Sequence, residues 1–236
     1  DGIMIARGDL GVEVPMQEVP LIQKKLIRLC LEVGKPTIVA TQMMESMIEN
    51  PSPTRAEVND VANAVLDNAD AVMLSAETSV GKYPEEVIIA MTSIIERIEK
   101  YERVLNTSPD VNYQNERFIT DSICFSASNL SHKVKAKAII MMTHSGYTAY
   151  RVSSMRPNSS IFAFTSNRLL MTQLSLVWGV VCDYYDKFES TDKTILDIRQ
   201  ILKTKEVVKK GDLIINITSI PMAEQGMTNM LKLGRV

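Results

Sequence analysis

The sequence has 236 residues, 45% of them hydrophobic and 23% charged, proportions that exclude a disordered chain, a collagen-like repeat and a disulfide scaffold. Its 26 basic and 28 acidic side chains leave a net charge of −2, which supplies no overall field for holding nucleic acid or an anionic membrane. Cys30, Cys124 and Cys182 stand far apart, which argues against a disulfide framework or a zinc site with close ligand pairs, and no uninterrupted apolar run reaches the roughly 18 residues of a bilayer span.

No basic start followed by an apolar run and a cleavage site marks an export signal, so a cytoplasmic, reducing location is expected. The chain opens at Asp1 and runs at once into the apolar stretch Gly2-Ile3-Met4-Ile5-Ala6, as if cut from something longer. The length allows one large domain or two modest ones. The halves differ in charge: residues 1–102 carry 9 basic and 17 acidic side chains, a net of −8, and residues 103–236 carry 17 and 11, a net of +6. That asymmetry suggests two domains with different ligands.

In the acidic half, three short apolar runs recur: Ile3-Met4-Ile5-Ala6, Thr37-Ile38-Val39-Ala40 and Ala71-Val72-Met73-Leu74. Ile3, Ile38 and Val72 are 35 and 34 residues apart. Runs this short, apolar on both alternating faces, read as strands buried on both sides of a parallel sheet. Between them, residues 18–33 place Val19, Ile22, Leu26, Leu29 and Val33 on one helical stripe, stopped by Gly34-Lys35-Pro36. Residues 54–67 place Val58, Val61, Ala62 and Val65 likewise. A third helix is expected from about Glu85 to Glu102. A strand-helix unit of this length builds a (β/α)8 barrel or a doubly wound sheet. The strands end in the polar clusters Arg7-Gly8-Asp9, Thr41-Gln42 and Ser75-Ala76-Glu77-Thr78. In either architecture these ends converge on the side where active sites sit.

Residues 106–115 lack periodicity and are rich in turn formers, so the domain boundary is placed there, giving domains 1–107 and 108–236. Beyond it the pattern predicts a helix over 116–131 and strands over 138–142, 160–164, 177–182, 213–217 and 229–233. Helices are predicted over 147–155, 167–174 and 191–205, making a smaller α/β domain with a mostly parallel sheet. Trp178 is expected to end an apolar strand in the core, and His132 to be solvated or capping at a helix end. The fourteen methionines read as packing rather than a metal-binding set.

An aspartate at a strand's end, as in Ala6-Arg7-Gly8-Asp9-Leu10-Gly11, can hold a hard divalent cation, or simply be an exposed turn carboxylate. Thr41 can satisfy a local backbone group or orient a proton donor. Wording decides more than spacing here. That stretch, together with Ala40-Thr41-Gln42-Met43-Met44-Glu45-Ser46-Met47, the run from Pro53-Thr54-Arg55-Ala56-Glu57 to Val65, and Met73-Leu74-Ser75-Ala76-Glu77-Thr78, resembles the pyruvate kinase family. The matched blocks lie in the family's order and cover most of residues 1–102.

The resemblance implies an α/β protein: the last three βα units of a partial (β/α)8 TIM barrel, followed by the family's C-terminal regulatory domain. It implies transfer of a phosphoryl group from phosphoenolpyruvate to ADP, giving pyruvate and ATP in glycolysis. It assigns substrate binding to Arg7, Gly8, Asp9 and Thr41, metal binding (Mg2+ or Mn2+) to Asp9, and catalytic roles to Asp9 and Thr41. The Thr41 counterpart is implicated in protonating the enolate. K+ and a homotetramer, with Arg55 and Glu57 near subunit contacts, are implied for the parent enzyme. Ser75 and Glu77 read as structural or as facing the same pocket. The family also places a lysine and a glutamate on a preceding strand, so the 236-residue chain alone is expected to be inactive.

In the basic half, Thr143-His144-Ser145-Gly146-Tyr147-Thr148 lies between a strand and a helix. Free amides at the helix start, with hydroxyls from Thr143, Ser145 and Thr148, can cradle a phosphate or merely cap the helix. The position resembles the family's loop for phosphorylated sugar effectors, although His144 stands where a lysine or another residue occurs and Tyr147 where arginine is common. The turn Glu224–Asn229 resembles a second effector loop. Two other classes stay open: a stand-alone module binding a phosphorylated metabolite, and another magnesium-dependent barrel enzyme acting on a 2-oxo acid.

Overall fold

The computed structural model describes residues 1–101, 115–187, 190–220 and 227–236. The chain divides into two compact units, Asp1–Val104 and Leu105–Val236. The segment in which the sequence places the domain boundary lies, apart from Asn115, outside the described residues. No helix among the described residues is long and apolar enough to cross a membrane.

In the first unit the three apolar runs become strands β1 (Ile3–Ala6), β2 (Thr37–Ala40) and β3 (Ala71–Val72), all parallel and hydrogen-bonded in the order β1-β2-β3. The register sets Ala6 beside Ala40. The two strand ends, and the polar clusters that follow them, are therefore side by side. Ile5 and Val39 are buried, but Ile3 and Met4 are exposed, so burial on both faces, as expected from the sequence, fails for β1.

Between the strands lie helices α2 (Val19–Val33) and α3 (Arg55–Leu66), and α5 (Pro84–Glu99) follows β3. Helix α2 ends at Gly34, whose φ of 68° is the left-handed conformation a glycine adopts without cost. Its buried face is Val19, Gln23, Ile27, Cys30 and Leu31; of the predicted stripe Val19 is buried and Ile22 and Leu26 are half-buried. Leu29 and Val33 are exposed, because the helix is apolar on more than one side and tertiary packing selects among them. Helix α3 opens with a reciprocal cap: Thr54 Oγ1 accepts the Glu57 amide at 3.3 Å, and Glu57 Oε2 accepts the Thr54 amide at 2.7 Å. Two short helices that the sequence did not announce are α1 (Arg7–Glu13), which follows β1 directly, and α4 (Ala76–Ser79), which starts after three residues that follow β3.

The second unit is a five-stranded sheet in the order β6-β5-β4-β7-β8. Its strands are β4 (Ala138–Met142), β5 (Ser160–Thr165), β6 (Val180–Tyr184), β7 (Leu213–Thr218) and β8 (Met230–Arg235), and β8 alone pairs antiparallel. Strand alternation splits its core in two. Ile139, Met141 and Ile215 pack with α6 (Phe118–Lys133), α7 (Tyr147–Ser154) and α8 (Arg168–Leu174). Ala138, Ile140 and Ile214 pack on the opposite face with Ile198 and Leu202 of α9 (Thr191–Thr204). The chain leaves β4 toward β5 on one side and returns through α9 to β7 on the other, so β4 and β7 flank the topological switch point.

Trp178 precedes β6 in a turn, half-buried, with the Arg156 guanidinium 5.1 Å from its ring centroid. This corrects the expectation that it ends a strand; β6 begins three residues later than predicted because Gly179 takes a φ of 69°. His132 lies exposed in the last turn of α6, its Nδ1 3.0 Å from Asn158 Nδ2, as expected.

Candidate functional site

The site of the first unit is built where β1 and β2 end. Helix α1 starts immediately after Ala6, which places Asp9 in its first turn, exposed beside Gly8. The Gly8 amide donates to Thr41 Oγ1 at 2.9 Å. Thr41 and Gln42 both adopt positive φ, 69° and 54°. Two successive non-glycine residues in this region are held only when the surroundings fix them.

Arg7 does the fixing. Its Nε donates to the Ala40 carbonyl at 3.3 Å, Nη2 to the Thr41 carbonyl at 2.6 Å, and Nη1 to Asp60 Oδ1 at 2.7 Å. A rigid guanidinium fork suits this task, since its donors leave one plane at fixed angles. The sequence reading did not single out Asp60. No local pattern could reveal it, because it comes from α3, 53 positions away from Arg7.

Glu77 is buried; its Oε2 accepts the Ser75 amide at 2.7 Å and its Oε1 the Met44 amide at 3.2 Å. Its carboxylate thus ties the turn after β3 to the turn after β2. Glu57 accepts the Ser46 amide at 2.7 Å and the Ser46 hydroxyl at 2.5 Å in addition to its cap. Burial pushes the Glu57 carboxyl up, but the Ser46 hydroxyl and amide and the Thr54 amide and hydroxyl together outweigh it and hold the group below its ordinary 4.5. Arg55 is exposed.

Among the described residues, no group of three or more histidine, cysteine, aspartate or glutamate side chains could cage a metal ion. A lone exposed carboxylate such as Asp9 fits a different donor set. Magnesium commonly takes one or two carboxylates and fills its octahedron with water and substrate phosphate oxygens. Arg7, Gln42 and Asp60 also line a groove of about 450 Å³ that runs along α2 past Gln23 and Lys24. Asp9 and Thr41 are not among its walls, and the groove adjoins them through Arg7, which donates to the Thr41 carbonyl, and through Gln42.

In the second unit, the loop Thr143–Thr148 leads from β4 into α7. Thr143 Oγ1, buried, accepts the Gly146 amide at 2.9 Å, and Ser145 Oγ accepts the Tyr147 amide at 3.4 Å. Thr148 Oγ1 lies 3.0 Å from Thr228 Oγ1. His144 and Ser145 are exposed. Tyr147 Oη donates to Asp121 Oδ1 at 2.8 Å, which also accepts Arg151 Nε at 3.0 Å, while Arg117 lies 4.2 Å from the Tyr147 ring centroid. Residues 224–226 of the second expected loop lie outside the described residues; of the rest, Asn229 exchanges two 2.8 Å hydrogen bonds with the backbone of Ile220.

Comparison with known proteins gives one answer for both units. A family model described as "Pyruvate kinase, barrel domain" matches residues 1–88, and one described as "Pyruvate kinase, alpha/beta domain" matches residues 121–233. The chain is 43% identical to pyruvate kinases of Lactobacillus delbrueckii subsp. bulgaricus, over 99% of this chain and 40% of that protein, and of Geobacillus stearothermophilus, over 98% and 40%. It is 40% identical to that of Clostridium perfringens, over 100% and 50%. A crystal structure of a pyruvate kinase from Cryptosporidium parvum aligns with a TM-score of 0.86 at 34% identity, covering 100% of this chain and 47% of that one. The chain spans 40 to 50% of the length of these curated relatives.

Proposed function

The chain belongs to the pyruvate kinase family, and from that premise we propose that it forms part of a cytoplasmic glycolytic enzyme that moves a phosphoryl group from phosphoenolpyruvate to ADP. The P–O bond to the enol oxygen breaks, a P–O bond to the terminal phosphate of ADP forms, and the enolate carbon takes a proton to give pyruvate. The observation that carries the reading is the Gly8–Thr41 hydrogen bond at 2.9 Å, which joins the ends of β1 and β2 beside the exposed carboxylate of Asp9.

Asp9 would hold the divalent cation, Mg2+ or Mn2+. When bound, such an ion neutralises charge that spreads over the phosphoryl oxygens. Thr41 Oγ1 is occupied as an acceptor by the Gly8 amide, which leaves its own hydrogen directed elsewhere. A hydroxyl is too weak an acid to protonate an enolate unaided, so Thr41 orients a water or relays a proton. The bonds of Arg7 to Ala40, Thr41 and Asp60 make holding the turn its main part, and substrate meets only the face of the guanidinium that they leave free. K+ and a homotetramer belong to the same proposal for the whole enzyme. The loop from Thr143 to Thr148 is proposed as the seat of a phosphorylated sugar effector, supported by exposed His144 and Ser145 beside the start of α7.

The test joins the upstream portion of the Geobacillus stearothermophilus relative to these 236 residues at the aligned position. That chimera is expected to make ATP from phosphoenolpyruvate and ADP with Mg2+ and K+, and Asp9→Ala to lower turnover by roughly 10²-fold or more. The 236-residue chain alone is expected to make none above background. An Asp9→Ala chimera as active as its parent would sink the reading.

A further inference from the structure

On the α9 face of the second sheet, the carboxyl ends of β4 and β7 border a small pocket with Ile140, Met142, Thr194, Ile198, Asn216 and Thr218 among its walls. Strand alternation explains the polar pair on β7. Asn216 and Thr218 share the face of Ile214, which packs against α9. An aliphatic residue at 216 would simply extend that core.

Instead, the position carries an amide that is 4% exposed, and Thr194, on the first turns of α9, is 1% exposed. Asn216 Nδ2 and Thr194 Oγ1 are both fully buried and have no hydrogen-bond partner among the described residues. Buried polar groups in folded proteins nearly always find one, in protein or in ordered water. Both residues line the same pocket, so one third group placed there can serve the two of them.

The space open to a water-sized sphere there is about 10 Å³, close to the minimum that holds one water molecule and too little for an organic ligand. Named above, the cavity walls include neither a carboxylate nor a cationic side chain, so nothing calls for an ion. We infer that a single buried water bridges β7 to α9 at this point. Its oxygen accepts from Asn216 Nδ2, one hydrogen goes to Thr194 Oγ1, and the other to Thr218 Oγ1. Thr218 donates its own hydrogen to the Ser219 carbonyl at 3.4 Å, which leaves its lone pairs to accept. Three bonds are the usual complement of a structural water. The site sits at the topological switch point, where an open α/β sheet parts its helices to either side. There the water replaces the direct packing that would otherwise pin the start of α9 to the sheet.

A crystal structure of the full chain, at a resolution that orders waters, tests occupancy directly. A peak within hydrogen-bond reach of Asn216 Nδ2 and Thr194 Oγ1 is expected, and a well-ordered map without one overturns the inference. Asn216→Val and Thr194→Val, singly and together, test the bridge. If one water serves both, each valine lowers the thermal midpoint by about 2–4 °C, and the double variant falls little further than the worse single one. Valines that raise the midpoint, as relief of unpaired polar groups would, or that act additively, overturn it. Should a variant fail to fold, the map of the unsubstituted chain still decides.

Discussion

Arg7 and Asp60 meet in an ion pair of 2.7 Å, with side chains 13% and 32% exposed. The carboxylate anchors the guanidinium whose other nitrogens hold the carbonyls of Ala40 and Thr41, so an acid on α3 sets the shape of the turn after β2. Asp60→Ala is expected to cost about 1.5–3 kcal/mol, the range for hydrogen bonds to charged groups, with Asp60→Asn milder. The loss should be local. Because Thr41 Oγ1 accepts the Gly8 amide, hydrogen exchange at Gly8 is expected to quicken by roughly tenfold or more, whereas exchange in the second unit stays as it was. Unchanged Gly8 protection would show that Asp60 does not govern the turn.

Glu57 offers a pH test. Its hydrogen bonds from Ser46 and Thr54 hold the folded-state carboxyl below its ordinary value, so the stabilisation it provides is present above about pH 4.5 and is lost as pH falls through the folded value. Glu57→Gln should therefore unfold more easily than the parent at pH 7, and the gap should close in acid. Thr54→Ala removes the other half of the cap and is expected to cost about 0.5–2 kcal/mol. Urea midpoints of the three proteins from pH 7 downward would check both; a Glu57→Gln gap that does not shrink in acid contradicts the ionised cap.

What could be read from sequence divides along the same line as local and distant interactions. The run Ala-Ile-Ile-Met-Met yielded β4 to the residue, since an apolar run closed by a polar turn carries its own boundaries. Helix α9 was legible for the same reason, with Ser190 capping its start. Helix α1 was hidden because Gly8 and Gly11 lower its intrinsic propensity and only tertiary placement stabilises it. The choice of Asp9 and Thr41 came from family wording, whereas Asp60 and Asp121 left no trace, since each meets its partner across 53 and 30 or fewer positions of unrelated sequence. The unmet polar pair at Asn216 and Thr194 could not be seen either, because burial of an amide is a property of the packed sheet.

Gly146 should resist substitution. It stands before α7 with a φ of 80°, and a Cβ there would lie 2.7 Å from Leu170 Cδ1 and 2.9 Å from Tyr150 Cε2. Backbone strain and the clash act together, so Gly146→Ala is expected to destabilise the second unit by about 1–3 kcal/mol. Since the glycine amide also bonds Thr143 Oγ1, the loop should loosen with it. Thermal denaturation followed by Trp178 fluorescence measures the first effect; an unchanged midpoint would mean that Leu170 and Tyr150 move aside freely and that the turn carries no strain.

Tyr147 makes the alkaline counterpart of the Glu57 test. Burial, then the hydrogen bond to Asp121 and that group's negative charge, push its phenol up to about 12 from an ordinary 10.0, against smaller opposing pulls from Arg151 and Arg117. The folded state thus keeps its proton where the unfolded chain gives it up, and stability should decline as pH rises from about 10 toward 12. Tyr147→Phe removes this sensitivity but loses the 2.8 Å bond to Asp121, at a cost of about 1 kcal/mol near neutrality. The two stability curves should therefore converge in alkali. Difference absorbance of the tyrosinate band, parent minus Tyr147→Phe, is expected to show one phenol titrating near 12. A residue that ionises at the ordinary value would mean that neither the burial of the phenol nor the bond to Asp121 survives in solution, and with them would go the restraint on the start of α7.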